Sequence, residues 1–382
     1  MPSDTDDLRI REIRELSTPI DVMREFPRVE AASRTVSRAR KAIHAVLSGD
    51  DDRLVAIVGQ VTSFHDMLRA LRRGDESWFP VCLAGELLAY AGYIVAYRDA
   101  PRVDGGPCFT LWTSTRIVAI GFGAFVAGSS AGTLGLDYWA LHRAGERPHV
   151  AARRVLALNT IEWAVLATFA CLSSVLVLVR PGSGAPLAME LAWLIVVPSC
   201  VAAALWVSAP ARADRLAALP HEDVELERDP HTWPRWLWHA ARAGFSDAVG
   251  GVVLVRHLLG RPRSHLGAVL GFPVYWAGDI LTLYAALRAF GEHAALGALV
   301  LAYTTAYVVT ALPLPAGGAG GVEAGLAFSL HAVGIALAPA LLATLVYRVF
   351  TLWLPIGPAL AAVPQVKTLD RELPDVPHAD VA

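Results

Sequence analysis

The chain carries little charge. Only 18% of its 382 residues are Asp, Glu, Lys or Arg, against roughly 25% in soluble domains. With 54% hydrophobic residues and a mean hydropathy of +0.44, that shortage excludes an ordinary solvated surface and predicts an integral membrane protein. Cysteine is scarce too. Cys82, Cys108, Cys171 and Cys200 have no C-x-x-C spacing, which leaves them packing roles rather than redox or metal roles. No H-E-x-x-H or grouped Cys/His pattern occurs, so no metal site is expected. No G-x-x-x-x-G-K-[ST] loop is present, which excludes P-loop pumping within this chain, and no cofactor is expected. A net charge of -2 without a separate basic domain argues against a nucleic-acid partner. Residues 1–52 lack the continuous apolar core, roughly 7 to 15 residues long, of a cleavable signal.

Apolar runs long enough to span a bilayer fill most of the remainder. Spans are predicted over Trp78 to Tyr97, Leu111 to Ser130, Val155 to Val179, Leu187 to Ser208, Leu266 to Phe290, Ala294 to Leu312 and Ile335 to Val363, with a shorter segment over Phe245 to Leu259. Leu54 to Ala70 is interrupted by Gln60, His65, Asp66 and Arg69, and reads as interfacial or as a marginal span. The expected fold is all-α: a polytopic bundle of about 7 to 9 spans. Residues 1–52 form a polar and amphipathic region, 53–363 the membrane domain, and 364–382 a polar tail. Within Ala31 to Leu47, Arg34, Arg38 and Lys41 share a helical face that either lies on an anionic leaflet or is solvated.

The Lys/Arg bias of short loops sets orientation. Arg69, Arg72 and Arg73, then Arg143 to Arg154, then Arg256 to Arg263 are expected on the cytoplasmic side, with 100–110 and 181–186 outside. The N-terminus is placed in the cytoplasm of a multi-pass protein of the cell membrane. Residues 209–244 form a polar connection in which Trp233, Trp236 and Trp238 beside Arg235 fit an interfacial belt.

One stretch breaks the apolar pattern. Pro313, Pro315, Gly317, Gly318, Gly320 and Gly321 lead into Glu323, between two long apolar runs. Proline removes backbone donors and glycine weakens helices, so this segment is broken or re-entrant backbone that protein or a wet cavity must cover. Gly128 to Asp137 echoes it. Both stretches are rich in small residues, and each ends in an acid two positions after a glycine: Gly135 and Asp137, then Gly321 and Glu323. With a gap of three residues the following helices align, setting Asn159 opposite Arg348. Two pseudo-repeated halves, about 78–208 and 245–363, are therefore predicted around broken helices.

Pro315 to Glu323, followed by Gly334, Tyr347-Arg348 and Trp353-Leu354-Pro355, resembles the closing signature of the lysylphosphatidylglycerol synthase transmembrane family. The resemblance covers roughly Trp78 to Val363 and is poor in the first half, where no Pro-Gly-Gly motif stands. It implies re-entrant helices and movement of lipids between leaflets. The soluble aminoacyl-transferase domain of bifunctional members does not follow the membrane domain here, so aminoacyl transfer is not assigned.

An ionised, unpaired Glu323 costs about 2.5–3.5 kcal/mol at mid-bilayer. Arg348, inside the last span, is its expected partner, and the pair either binds a headgroup or fixes helix packing. Arg116, Glu162 and Asp279 raise the same question. Arg116 is chosen as a second cation for an anionic headgroup, with snorkelling as the alternative. Asp247 is expected to cap a helix. Gly128 to Gly132 matches G-x-S-x-G, but in a spanning helix rather than on a strand-to-helix turn, so a hydrolase is not expected. The leading expectation is a flippase for an anionic phospholipid or glycolipid, with Asp137, Arg116, Glu323 and Arg348 along its path. A scaffold for a lipid-modifying enzyme and an intramembrane transferase are the alternatives, and homo-oligomers are allowed.

Overall fold

Glycine spacing fixes the centre of the molecule. Gly85 and Gly92 lie two helical turns apart on α1 (Phe79–Asp99), as do Gly271 and Gly278 on α6 (Leu266–Ala289). These faces meet antiparallel, Gly85 against Gly278 and Gly92 against Gly271. A Cβ on any of the four would stand within 2.8 Å of the carbonyl oxygen opposite. Small residues that bring backbones together are the usual interface of helices in lipid, where burying apolar surface drives nothing. The computed structural model describes residues 72–179, 185–212, 233–311 and 321–379. These are helical, with no strand beyond one bridge between Pro107 and His378.

The other helices are α2 (Leu111–Arg143), α3 (Pro148–Val179), α4 (Leu187–Val207), α5 (Trp233–Gly260), α7 (Leu296–Tyr307), α8 (Gly321–Ala332), α9 (Leu337–Arg348), α10 (Ile356–Ala362) and α11 (Val366–Glu372). Five helical segments are long and apolar enough to cross a membrane: Glu76–Gly105, Pro148–Val179, Leu187–Val207, Leu266–Ala289 and Leu337–Asp375. Two expected spans, Leu111 to Ser130 and Ala294 to Leu312, instead supply only the short apolar helices Leu111–Val126 and Leu296–Tyr307.

The first of these is one arm of a hairpin. In a straight helix residues twelve apart are separated by about 18 Å, yet Thr133 Oγ1 donates to Gly121 O at 3.3 Å. Ala124 O would lie 2.2 Å from a Cβ on Gly132. α2 therefore doubles back on itself near its middle, and glycine at 132 permits the close approach. α7 with its 3-10 turn Val308–Ala311, and α8, which pack on each other, form the second hairpin. Residues 312–320, which include Pro313, Pro315, Gly317, Gly318 and Gly320, lie outside the described residues. Ser130 Oγ donates to Thr310 O at 3.1 Å, so the middle of α2 touches the end of the described arm that leads from α7.

The hairpins enter from opposite faces. Arg154 Nη1 donates to Pro101 O at 2.8 Å, and Arg154 Nε to Glu146 Oε1 at 2.8 Å, so the segments before and after α2 share a face, called here the Arg154 face. α6 starts there, where Ala268 N donates to Asp99 Oδ2 at 3.0 Å. It ends on the opposite Trp78 face, where Asp75 N donates to Ala289 O at 2.8 Å. α7 starts on that face and α9 leads away from it. Matching turns close the two hairpins: His142 Nδ1 bonds Glu146 O and His331 Nδ1 bonds Ile335 O, both at 2.9 Å. Gly145 and Gly334 take φ of +93° and +99°, the left-handed conformation that ends a helix. Thus α1 to α3 and α6 to α9 follow the same order of elements from opposite faces, with α1 and α6 antiparallel, the arrangement of an inverted repeat.

This path corrects the expected sidedness. Residues 100–110 and 143–154 are in contact rather than on opposite sides, because α2 returns to the face it left. Arg72 and Arg73, before α1, lie at the other end of that helix from Arg143 to Arg154. The connection expected over 209–244 is already helical from Trp233. Asp247 is not a cap: it sits inside α5, with Arg153 Nε 3.4 Å from its Oδ1. Residues 1–71, with Ala31 to Leu47 and Leu54 to Ala70, lie outside the described residues. The polar tail folds onto the Arg154 face. Leu369 and Leu373 are fully buried, Cys108 N donates to Pro377 O at 2.7 Å, and Ala379 N to Gly106 O at 2.9 Å.

Candidate functional site

A cavity of about 180 Å³ opens between the two repeats. One apolar cluster lies toward each face, around Leu299, Leu330 and Trp276 on one side and around Leu141, Ile117 and Leu369 on the other. Four carboxylates reach the polar space between them: Glu86 from α1, Asp137 from α2, Glu162 from α3 and Asp279 from α6. Arg348 is the only Lys or Arg among the described lining residues. The wall is otherwise rich in tyrosine, with Tyr90, Tyr93, Tyr275, Tyr307 and Tyr347.

Local structure explains these placements. Arg348 ends α9, where a π turn over Val349–Trp353 interrupts the regular ladder and re-aims the chain. Its Nε donates to Glu323 Oε1 at 2.8 Å, and both side chains are largely buried, at 7% and 15% exposure. Glu323 stands in the first turn of α8, where the helix dipole also favours a negative charge. Gly321 opens that helix, at the edge of the motif that singled it out. Glu162 receives Tyr93 Oη at 3.5 Å, and its carbonyl oxygen accepts Trp276 Nε1 at 2.9 Å. Asp279 Oδ2 accepts the hydroxyls of Tyr303 and Tyr347, the latter at 3.0 Å.

Of the residues chosen from sequence, the fold unites Glu323, Arg348 and Asp137, and sets Asn159 on the same wall as Arg348. Arg116 stands elsewhere. It lies one turn into α2 near the Arg154 face, bonds Glu372 of the tail, and has its guanidinium 5.7 Å from the Trp112 ring centre. Arg143, on the other arm of the same hairpin, pairs with Asp370. The tail thus ties both arms. Sequence reasoning missed Glu86 and the tyrosine wall. The signal for Glu86 is a repeat: Gly85-Glu86 on the first helix of one half matches Gly278-Asp279 on the first helix of the other.

Two halves of like order and a polar cavity between them, in a bundle with five helical segments apolar enough to cross a bilayer, define an integral membrane protein. Residues 43–359 match the family described as lysylphosphatidylglycerol synthase TM region. The chain belongs to that family and is a membrane protein of lipid metabolism or transport. Part of the chain is also similar to part of two aldolases. It is 51% identical over 65 residues to the Phe-sensitive phospho-2-dehydro-3-deoxyheptonate aldolase of Escherichia coli (strain K12), covering 17% of this chain and 18% of that protein. It is 40% identical over 71 residues to the Trp-sensitive enzyme of Enterobacter agglomerans, covering 19% of this chain and 20% of that one. The chain spans about a fifth of the length of those curated relatives, and nothing of their chemistry is carried over.

Proposed function

We propose that this protein is a flippase that passes a lipid headgroup between leaflets through the cavity joining the two repeats. The carrying observation is the gathering of charged and aromatic side chains in a cavity between apolar helices, where in a bilayer each ionised group at mid-depth costs about 2.5–3.5 kcal/mol unless it is used or paired. Irregular backbone and polar lining in a bilayer are tolerated where they surround such a cavity. Acyl chains stay in lipid while the headgroup slides past Asp137, Asn159, Glu162 and Arg348, and rocking of one repeat against the other opens the path to either side.

The charge balance selects the headgroup. Four carboxylates face one arginine, which is already held by Glu323. A hydroxyl-rich or amine-bearing headgroup is accommodated ahead of the purely anionic one expected from sequence, with tyrosine faces available to an ammonium group. Arg98, Arg102, Arg143, Arg147, Arg256 and Arg261 gather toward the Arg154 face, which supports a cytoplasmic assignment for it in the cell membrane.

Reconstitution tests this reading. Liposomes holding the full chain and fluorescent phosphatidylethanolamine, phosphatidylglycerol or a glycosylated lipid are assayed for loss of inner-leaflet protection from a reductant. Translocation by wild type is expected, with the double change Asp137→Asn and Glu162→Gln slowing it about tenfold or more, since a hydrogen bond to a charged group contributes about 1.5–3 kcal/mol. Folded wild type that moves none of these lipids overturns the proposal.

A further inference from the structure

Two acids in the cavity have a relation that headgroup binding leaves unused. Glu86 and Asp279 each follow one glycine of the Gly85–Gly278 contact, so equivalent positions of the two halves carry carboxylates where two helix backbones touch. Each is buried, at 6% and 5% exposure. Glu86 Oε2 and Asp279 Oδ1 are fully covered and have no hydrogen-bond partner among the described residues. Both residues line the cavity.

The groups facing the pair from neighbouring helices leave it short of positive charge. Tyr90 on α1, Tyr275 on α6, and Tyr303 and Tyr307 on α7 supply neutral hydroxyls. Asp137 on α2 and Glu162 on α3 add further acids to the same cavity wall. From α9 come Tyr347, which bonds Asp279, and Arg348, which is bonded to Glu323 of α8. Like charges facing one covered cavity are relieved by taking up a cation, and a proton is the one that needs no coordination shell.

We propose that Glu86 and Asp279 share a proton across the repeat axis and couple headgroup passage to the transmembrane proton gradient. This coupling rests on the flippase reading. A proton arrives from the side to which the cavity is open, occupies the covered oxygens Glu86 Oε2 or Asp279 Oδ1, and leaves when rocking opens the other side. Because each repeat contributes one acid, relative motion of the repeats changes the distance between them, and with it their hold on the proton.

Two measurements on the full chain separate the coupling from the transport. Infrared difference spectra of protein in vesicles of phosphatidylethanolamine and phosphatidylglycerol, taken on changing pH, are expected to show a protonated-carboxyl band that weakens in Glu86→Gln and again in Asp279→Asn. Spectra identical to wild type in both variants overturn the proton site, whatever is transported. In the fluorescent-lipid assay, an imposed pH gradient is expected to change the wild-type rate severalfold, and the ratio of rates with and without the gradient is expected to fall to one in either variant. A wild-type ratio of one overturns the coupling while leaving the flippase standing. The carboxyl band with no movement of any lipid upholds the proton site and overturns the flippase. Both changes are isosteric, and native elution in detergent with wild-type helix content excludes misfolding as their cause.

Discussion

Arg348 and Glu323 show how much depends on one contact. Each is expensive to bury alone, and together, at 2.8 Å, they compensate one another. Removing one partner of a buried pair costs about 3–5 kcal/mol, whereas removing both can be nearly neutral. Arg348→Ala is therefore expected to lower the thermal midpoint in detergent sharply, and Arg348→Met with Glu323→Leu to recover most of it. If the double change is as damaging as the single one, the pair is not the unit that holds α8 to α9. This pair was legible in the sequence because charges inside apolar runs are rare and two of them call for each other. Asp137 was legible through its echo of Glu323. Glu86 was not, because a lone acid eight residues into a span reads as an ordinary interruption until the equivalent Gly278-Asp279 is laid beside it. Arg116 misled for the opposite reason: its partner, Glu372, lies in a tail that reads as solvent-exposed.

Helices meet here by backbone contact, and that makes glycines unequal. At Gly278 an added side chain would stand 2.5 Å from Ala89 N and 2.6 Å from Gly85 O, both backbone atoms that cannot yield. Gly278→Val is expected to destabilise by about 1–3 kcal/mol, the usual cost of overpacking, and more if α1 and α6 separate. At Gly121 the nearest atom is a leucine methyl at 3.6 Å, an ordinary contact. Gly121→Ala should leave the melting midpoint unchanged or raise it, since alanine favours helix. Equal loss at both sites would show that close approach of backbones does not set the response. The element boundaries of α1, α4 and α6 could be read from apolar run length, as could the end of α3, whose start at Pro148 precedes the apolar run expected from Val155. The reversal inside α2 could not, because its turn is made of small residues that are equally at home in a straight helix, and it is revealed by the contacts of Thr133 with Gly121 and of Gly132 with Ala124.

At the scale of the whole molecule, the doubled-back α2 determines which loops share a compartment. A chain of full crossings puts Arg102 and Arg147 on opposite sides of the bilayer. The hairpin puts both on the Arg154 face, where each is exposed, and sets Ala295 on the other face. The excess of arginine on the Arg154 face is the basis for the proposal that this side is cytoplasmic. Single cysteines at 102, 147 and 295, in a chain whose four native cysteines are changed to serine, report this directly through a membrane-impermeant maleimide. Cysteines at 102 and 147 are expected to react together in inside-out vesicles and to be protected in right-side-out ones, with 295 showing the reverse. Reaction of 102 and 147 from opposite sides would make α2 a true crossing, and α6 to α9 would then no longer be an inverted copy of α1 to α3. With the inversion would go the common wall for Asp137, Asn159 and Arg348, and the physical basis for exposing one cavity to both leaflets.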